Sequence, residues 1–177
     1  MANIINNNAV VANDWTIITL AAGELPEDVK LPHGNVLVPL SVWRTRKWDL
    51  IDRAWEHNNK LGVWLSPLED PSDLASELDD LDTVGVHFPV PGDGRGYSIA
   101  TLLRTRYGFK RELRAIGNIG RDYLHFLRRV GFDSIEVAHP ETAISSLNDF
   151  SAAYQSALDQ PLPLFCRVAA NDVALAA

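Results

Sequence analysis

The sequence is poor in cysteine and has no long apolar run: Cys166 is the one cysteine in 177 residues. A single cysteine cannot form an internal disulfide or a thiolate metal cluster, which is typical of a reducing compartment. No apolar run approaches the roughly 20 residues of a membrane-spanning helix, and residues 1–8 lack the basic stretch and apolar core of a signal peptide. We therefore expect a cytoplasmic protein that does not enter a membrane.

Basic residues are also scarce, because 16 Lys and Arg face 23 Asp and Glu, for a net charge of −7. A negative chain repels phosphate groups, which argues against general binding to nucleic acid or to membrane surfaces. Hydrophobic residues make up 46% and charged residues 22% of the chain, which are values typical of a globular protein. The length fits one domain with a sizeable core, so we expect residues 1–177 to form a single domain.

The common catalytic and cofactor motifs are missing from the sequence. It has no G-x-x-x-x-G-K-[ST] loop, no G-x-S-x-G motif and no C-x-x-C pair. His87 and His139 lie at predicted strand ends, but no second histidine or cysteine is spaced to complete a metal site, and each fits a structural role. The sequence thus predicts no metal site and identifies no cofactor, and it leaves open whether the protein is an enzyme.

Residues 1–22 predict β-structure. Ile4-Ile5 and Ala9-Val10-Val11 flank three asparagines, which tolerate the left-handed backbone of a tight hairpin turn. The β-branched and aromatic run from Trp15 to Leu20 predicts a further strand. We therefore expect an N-terminal β-hairpin followed by one more strand.

Residues 35–160 predict about five consecutive β-α units, followed by a tail over 161–177 without clear assignment. Such units form a parallel α/β sheet, and both an open doubly wound sheet and a partial β/α barrel fit the pattern. In either architecture, sites gather at the carboxyl ends of the strands. The predicted strands are Asn35–Leu40, Leu61–Leu65, Thr83–Phe88, Glu112–Gly117 and Phe132–Ala138. The predicted helices are Ser41–Trp55, Ser72–Leu81, Tyr97–Tyr107, Asn118–Val130 and Glu141–Leu158.

Residues 93–133 are basic in an otherwise acidic chain, with nine Arg or Lys against four acids. At the start of this segment, Gly92-Asp93-Gly94-Arg95-Gly96 is predicted to form a loop between a strand and a helix. The loop is not a dinucleotide fingerprint, since Tyr97 stands where the third glycine is needed and Asn118 stands where the next strand should offer an acid.

We expect this segment to bind a small anion or an acidic partner. Arg95 and Arg121 follow neighbouring strands, and guanidinium groups at helix N-termini suit oxyanions and carboxylates. Arg104 is expected to pair with an acid such as Asp122, and Ser98 to cap its helix. The candidate binding residues are Asp93, Arg95, Tyr97, Ser98, Arg104, Arg114, Arg121 and Asp122.

The chain also resembles a bacterial family catalogued as a domain of unknown function, number nine-three-four. The resemblance runs from about Asn35 to Phe165, and the motifs that carry it are Asp93-Gly94-Arg95-Gly96-Tyr97-Ser98, Leu103-Arg104, Tyr107-Gly108, Glu112-Leu113-Arg114-Ala115, Arg121-Asp122 and Gly131-Phe132. Two positions depart from it: Asn118 replaces an acid, and Val130 replaces a cysteine of some members, which argues against a redox thiol there.

The resemblance implies a role in sulfur assimilation. Members are commonly encoded beside assimilatory sulfite reductase and are often labelled oxidoreductases, although no flavin, nicotinamide, haem or iron–sulfur signature stands in this sequence. The leading hypothesis is an accessory protein that binds sulfite reductase or its acidic electron donor through the basic segment. The alternatives are a small oxidoreductase or other enzyme that binds an oxyanion at the loop Asp93–Ser98, and a structural scaffold.

Overall fold

The computed structural model describes residues 3–90, 92–148, 155–164 and 166–167 and contains one eight-stranded sheet with helices on one face. The strands are β1 (Asn3–Asn6), β2 (Ala9–Ala12), β3 (Trp15–Ile17), β4 (Asn35–Pro39), β5 (Leu61–Leu65), β6 (Thr83–Phe88), β7 (Glu112–Gly117) and β8 (Ser134–Ile135). The helices are α1 (Leu40–His57), α2 (Arg95–Thr105), α3 (Leu124–Arg129) and α4 (Pro140–Ala143). None of the described helices is long and apolar enough to cross a membrane.

The predicted N-terminal hairpin is confirmed. β1 and β2 pair antiparallel, and the two turn residues Asn7 and Asn8 have φ angles of 45° and 69°. Asparagine accepts this left-handed backbone more readily than most residues, which fixes the tight turn. β1 then pairs antiparallel with β8, so the hairpin extends one edge of the parallel sheet.

The parallel strands follow one another in chain order, and the whole sheet runs β2-β1-β8-β7-β6-β5-β4-β3. Strands β2 and β3 are therefore its opposite edges, yet Asn13 and Asp14 alone separate them in the chain. Such a link spans roughly 10 Å at most, so the sheet has to curl until its edges approach each other. The architecture is a half-barrel, which decides between the two predicted arrangements.

Alternate residues of the strands face two different layers. Val63, Val84 and Leu113 belong to the main core beneath the helices, whereas Trp15, Leu37 and Ile116 form a separate cluster on the inner, concave face. Glycines on the inner face permit the curl. A Cβ on Gly62 would lie 2.6 Å from Cδ1 of Leu37, and a Cβ on Gly85 would lie 2.8 Å from Cβ of Trp64.

The crossovers are less regular than five β-α units. The predicted helix Ser72–Leu81 is wrong: the segment forms two short 3-10 turns, Pro71–Leu74 and Leu78–Asp80. Its run of acids opposes a continuous helix, and Glu77 instead accepts hydrogen bonds from Trp43 and Lys47 of α1.

The last two units are also shorter than predicted. A 3-10 turn, Arg121–Tyr123, precedes α3. The chain leaves β7 at Gly117, whose φ of 103° is not helical, so the helix begins later than predicted. The strand expected over Phe132–Ala138 contracts to the two residues of β8. α4 continues into a 3-10 turn, Ile144–Asn148, and residues 149–154 of the predicted last helix and 168–177 of the tail lie outside the described residues.

Candidate functional site

The candidate loop lies at the carboxyl end of β6, next to the loop that leaves β7. Phe88 and Gly117 are register partners on these parallel strands, and the Asn118 backbone N–H donates a 2.8 Å hydrogen bond to the Phe88 carbonyl. Gly92 and Tyr97 of the first loop and Tyr123 of the second border one small cavity. The two loops thus form a continuous surface at this end of the half-barrel.

Asp93 and Arg95 form a tight pair at the start of α2. The Asp93 carboxylate accepts hydrogen bonds from Arg95 Nε at 3.0 Å, from Arg95 Nη2 at 2.7 Å and from the Arg95 backbone N–H at 3.1 Å. These bonds lower the pKa of Asp93 below its ordinary value. The Asp93 side chain is 8% exposed and the Arg95 side chain 55%, so the carboxylate orients a guanidinium that still faces solvent.

Tyr97 packs against the end of β6, the strand that precedes the loop. Its ring packs edge-on against Phe88, with 5.7 Å between the ring centres. Burial, with a smaller contribution from Tyr123, raises the pKa of the Tyr97 phenol, which keeps it neutral. Ser98 does not cap the helix as expected, because α2 already begins at Arg95 and Asp93 accepts the N–H there.

Arg121 and Asp122 lie in the 3-10 turn after β7, at the same end of the sheet as Arg95. Their side chains are exposed and lie 3.9 Å apart, from Arg121 Nε to Asp122 Oδ1. The Arg121 carbonyl accepts a 2.9 Å hydrogen bond from Ser146 Oγ, which fixes the turn to the following segment. Six of the eight candidate residues therefore share the carboxyl end: Asp93, Arg95, Tyr97, Ser98, Arg121 and Asp122.

Arg104 lies at the opposite end, because α2 returns the chain to the amino ends of the strands. Its guanidinium donates to the carbonyls of Phe109, Arg111 and Gly131 and pairs with Asp133. The prediction that Arg104 pairs with Asp122 is wrong, because Asp122 lies at the opposite end of β7. Arg104 thus joins the end of α2 to the segments that enter β7 and β8.

Arg114 is inside the half-barrel. Its side chain is 2% exposed and donates to Glu112, Ser134 and Asn13. Burial would raise the pKa of Glu112, but Arg114 and its hydroxyl partners outweigh that effect and lower it. A guanidinium this enclosed is not available to an external anion.

The basic segment is therefore divided between two ends of the fold. At the amino ends, Arg104, Lys110 and Arg128 line an open cleft of about 430 Å³ that has Phe109, Phe132 and Leu158 among its apolar walls. This cleft was not predicted from the sequence, although a signal for it was present: each of these cations lies shortly before a strand or near the end of the helix that precedes the strand. Parallel strands bring such positions together at one end.

His87 is on the inner face at the carboxyl end, 5.4 Å from the Trp64 ring between centres. A Cβ on Gly117 would lie 2.8 Å from His87 Cδ2, so glycine at that position leaves room for the imidazole. Burial lowers the pKa of His87, and Glu136 opposes the shift. His139 is exposed before α4, where its carbonyl accepts a hydrogen bond from Thr142.

Metal ligands do not gather in the described part of the chain, where no three His, Cys, Asp or Glu side chains could hold one ion. The sequence matches a family model described as bacterial protein of unknown function (DUF934) over residues 62–165. This range contains the candidate loop Asp93–Ser98 and the whole basic segment, residues 93–133. A search of curated proteins finds no match.

Proposed function

The chain belongs to this bacterial family, DUF934, and we propose that it is an accessory protein of assimilatory sulfite reduction that binds sulfite reductase or its electron donor. The genes of the family that the sequence resembles commonly lie beside that of the reductase. An accessory role needs no catalytic pair and no cofactor in this chain. It needs a surface that a partner recognises, and the cations gathered at the amino ends of the strands support such a role.

The observation that carries the proposal is the group of cations at the amino ends of the strands. We call Lys110, Arg111 and Arg128, with the cleft they adjoin, the basic surface. Lys110 and Arg111 are exposed, while Arg111 also donates to the Leu81 carbonyl and Arg128 to the Asn8 side chain. Cations held in place on a surface attract acidic proteins and steer their approach, in a protein that is otherwise negative.

The cleft beside these cations suits a protein partner more than a free anion. Its walls combine charged and apolar groups, and Asp133 and Asp159 also line it. A small oxyanion would meet these carboxylates, whereas a protein side chain could place apolar atoms against Phe109 and a carboxylate near Lys110. Mixed surfaces of this kind are common in transient complexes.

The test is a binding measurement with purified sulfite reductase and, separately, a ferredoxin-like donor at low salt. We expect one of them to bind, and Lys110→Glu/Arg128→Glu to weaken that binding at least about tenfold, because two attractive charges become repulsive. Lys30→Glu is the matched control, since Lys30 is exposed in the loop between β3 and β4. Melting temperatures of the variants show that the fold is kept. If neither protein binds at low salt, the proposal is wrong.

A second candidate, an oxyanion site at the loop Asp93–Ser98, has one observation in its favour: Arg95 is held in place and half exposed. It has less support because the Asp93 carboxylate already accepts hydrogen bonds from one edge of the guanidinium, Nε and Nη2, and from the first N–H of α2. A thermal-shift series with sulfite, sulfate and phosphate separates the two functions. Stabilisation that Arg95→Gln abolishes and Lys110→Glu leaves intact would favour the oxyanion site.

A further inference from the structure

The cations of the basic surface differ from others in the fold in how their charge is balanced. Cations elsewhere commonly lie within ion-pair distance of a carboxylate: Arg44, Arg46, Lys47, Arg95, Arg114 and Arg121. Among the described residues, Lys110, Arg111 and Arg128 have no such carboxylate, and the two arginines donate to neutral oxygens, the Leu81 carbonyl and the Asn8 side chain. The part of the chain that the structure describes therefore leaves the positive charge of this surface unneutralised.

Two further charged residues of the cleft, Arg104 and Asp133, already neutralise each other. The Asp133 carboxylate accepts hydrogen bonds from Arg104 and, at 2.8 Å, from the Leu113 backbone N–H. Asp159 is exposed and has no cation within ion-pair distance among the described residues, so it opposes an anionic ligand. Lys110 and Arg128 outnumber this one carboxylate in the lining, and Arg111 adds a further positive charge beside them. The cleft therefore attracts carboxylates overall.

The cleft also has an apolar side. Phe109 and Phe132 are 5% and 4% exposed and form its buried base, whereas Leu158 is 41% exposed and borders its opening. The Leu158 backbone N–H donates a 3.0 Å hydrogen bond to the Arg129 carbonyl, which fixes this wall to the end of α3. An inorganic anion gains nothing from these groups, because apolar surface is stabilised by leaving water for apolar contacts. A ligand that uses both sides of the cleft has to carry carboxylates and apolar atoms together.

We propose that the cleft receives a short acidic segment of the partner protein. The segment places one bulky apolar side chain against Leu158 and the buried base, and its flanking carboxylates near Lys110 and Arg128. The inference rests on the proposed accessory role, and it names the feature by which the partner is recognised at that same surface.

The size of the cleft agrees with a chain segment as its occupant. Its volume of about 430 Å³ lies within the roughly 300–1,000 Å³ typical of small-ligand sites. Such a space admits a few side chains but no folded domain. Short segments are commonly recognised in this way, by a pocket for one apolar side chain and by fixed charges for its neighbours. Because few contacts are available, we expect a single segment to dissociate in the micromolar range.

Fluorescence polarisation with a set of short labelled peptides tests the proposal. The set places one leucine among acidic residues at every spacing. Each peptide has two matched versions, one with serine for the leucine and one with asparagine and glutamine for the acids. We expect acidic leucine peptides to bind and each matched version to bind at least about tenfold more weakly, because burial of the leucine and attraction of its carboxylates both contribute to affinity.

Variants of the protein locate the binding site. Lys110→Glu/Arg128→Glu should weaken the best peptide at least about tenfold. Leu158→Ser should weaken it about fivefold or more and leave the serine version of the peptide unaffected. Leu162→Ser is the matched control, because Leu162 is an exposed leucine outside the cleft lining. Asp159→Asn should tighten binding about two- to fivefold, since it removes the opposing charge.

The outcomes separate this inference from the accessory role. If no peptide of the set binds while sulfite reductase or the donor does, the inference is wrong and the accessory role stands. Equal binding of the leucine and serine versions also overturns it, because the cleft would then act through charge alone. If acidic leucine peptides bind and Leu158→Ser weakens them, but neither protein binds, the inference holds and the accessory role is wrong.

Discussion

The Arg114 guanidinium lies 5.5 Å from the centre of the Trp15 ring, across the inside of the half-barrel. Trp15 is on β3, one edge of the sheet, and Arg114 is on β7, four strands away in the sheet order. Asn13, in the link between β2 and β3, accepts a 2.8 Å hydrogen bond from the same guanidinium. This contact holds the curled sheet together from within.

Removing this arginine should be costly. We expect Arg114→Met to lower the free energy of unfolding by about 3 kcal/mol, because it leaves the Glu112 carboxylate largely buried and without its cation. Urea denaturation measures the loss. In Glu112→Gln/Arg114→Met the loss should be smaller, since no unpaired charge remains.

Arg44→Met is the matched control for that experiment. Arg44 pairs with Asp73 on the surface, where both side chains are well exposed, and such pairs contribute about 0–1 kcal/mol. If Arg114→Met costs no more than Arg44→Met, the internal contact does not stabilise the half-barrel.

Acid should destabilise the fold through His87. Burial lowers its pKa in the folded state, whereas the unfolded chain has the ordinary value of about 6.5. Between these two values the unfolded state binds more protons, so stability is fully present above about pH 6.5 and falls as the pH falls through this window. Below the folded-state pKa the contribution levels off.

Denaturation of the protein and of His87→Gln at a series of pH values tests this linkage. We expect the variant to lose less stability than the parent between pH 6.5 and the folded-state pKa, and the two curves to run parallel outside that window. Equal slopes inside the window would show that burial of His87 has no energetic consequence for folding.

Gly117 should not tolerate a side chain. Its φ is 103°, and a Cβ would lie 2.6 Å from the Phe88 carbonyl oxygen and 2.8 Å from the His87 ring. We expect Gly117→Ala to lower the melting temperature through backbone strain and overlap, at a cost of about 1–3 kcal/mol.

Gly94→Ala is the control, because Gly94 has a φ of −68° and a Cβ there meets nothing within 4 Å. Thermal unfolding of both variants should therefore show a loss for Gly117→Ala alone. A comparable loss in Gly94→Ala would mean that the loop before α2 also restricts its glycines.

Local patterns predicted most of the strands. The alternation in Glu112–Gly117 gave β7 with both ends correct, and three consecutive asparagines marked the hairpin turn. The prediction of a helix over Ser72–Leu81 is wrong because the conformation of this segment depends on Trp43 and Lys47. These residues lie in another part of the chain and donate hydrogen bonds to Glu77. Periodicity contains no information about such partners.

The candidate site was predicted only in part, because some of its contacts join residues that are far apart in the chain. Asp93 and Arg95 are two residues apart, so their pairing is a local property that the loop sequence indicates. The partner of Arg104 is Asp133, which follows in the chain only after another strand and helix. A count of charges along residues 93–133 cannot show which of them return to the same end of the sheet.

The sequence by itself determined the mostly parallel α/β class, the hairpin and the presence of a basic segment, because each depends on residues close together in the chain, and its motifs indicated the family. Tertiary structure alone decided that the sheet curls into a half-barrel, that Arg114 is enclosed, and that the remaining cations separate to opposite ends. The curl results from a two-residue link between edge strands and from inner-face glycines that Leu37 and Trp64 cover. These are contacts between distant segments, and they exist only once the chain has folded.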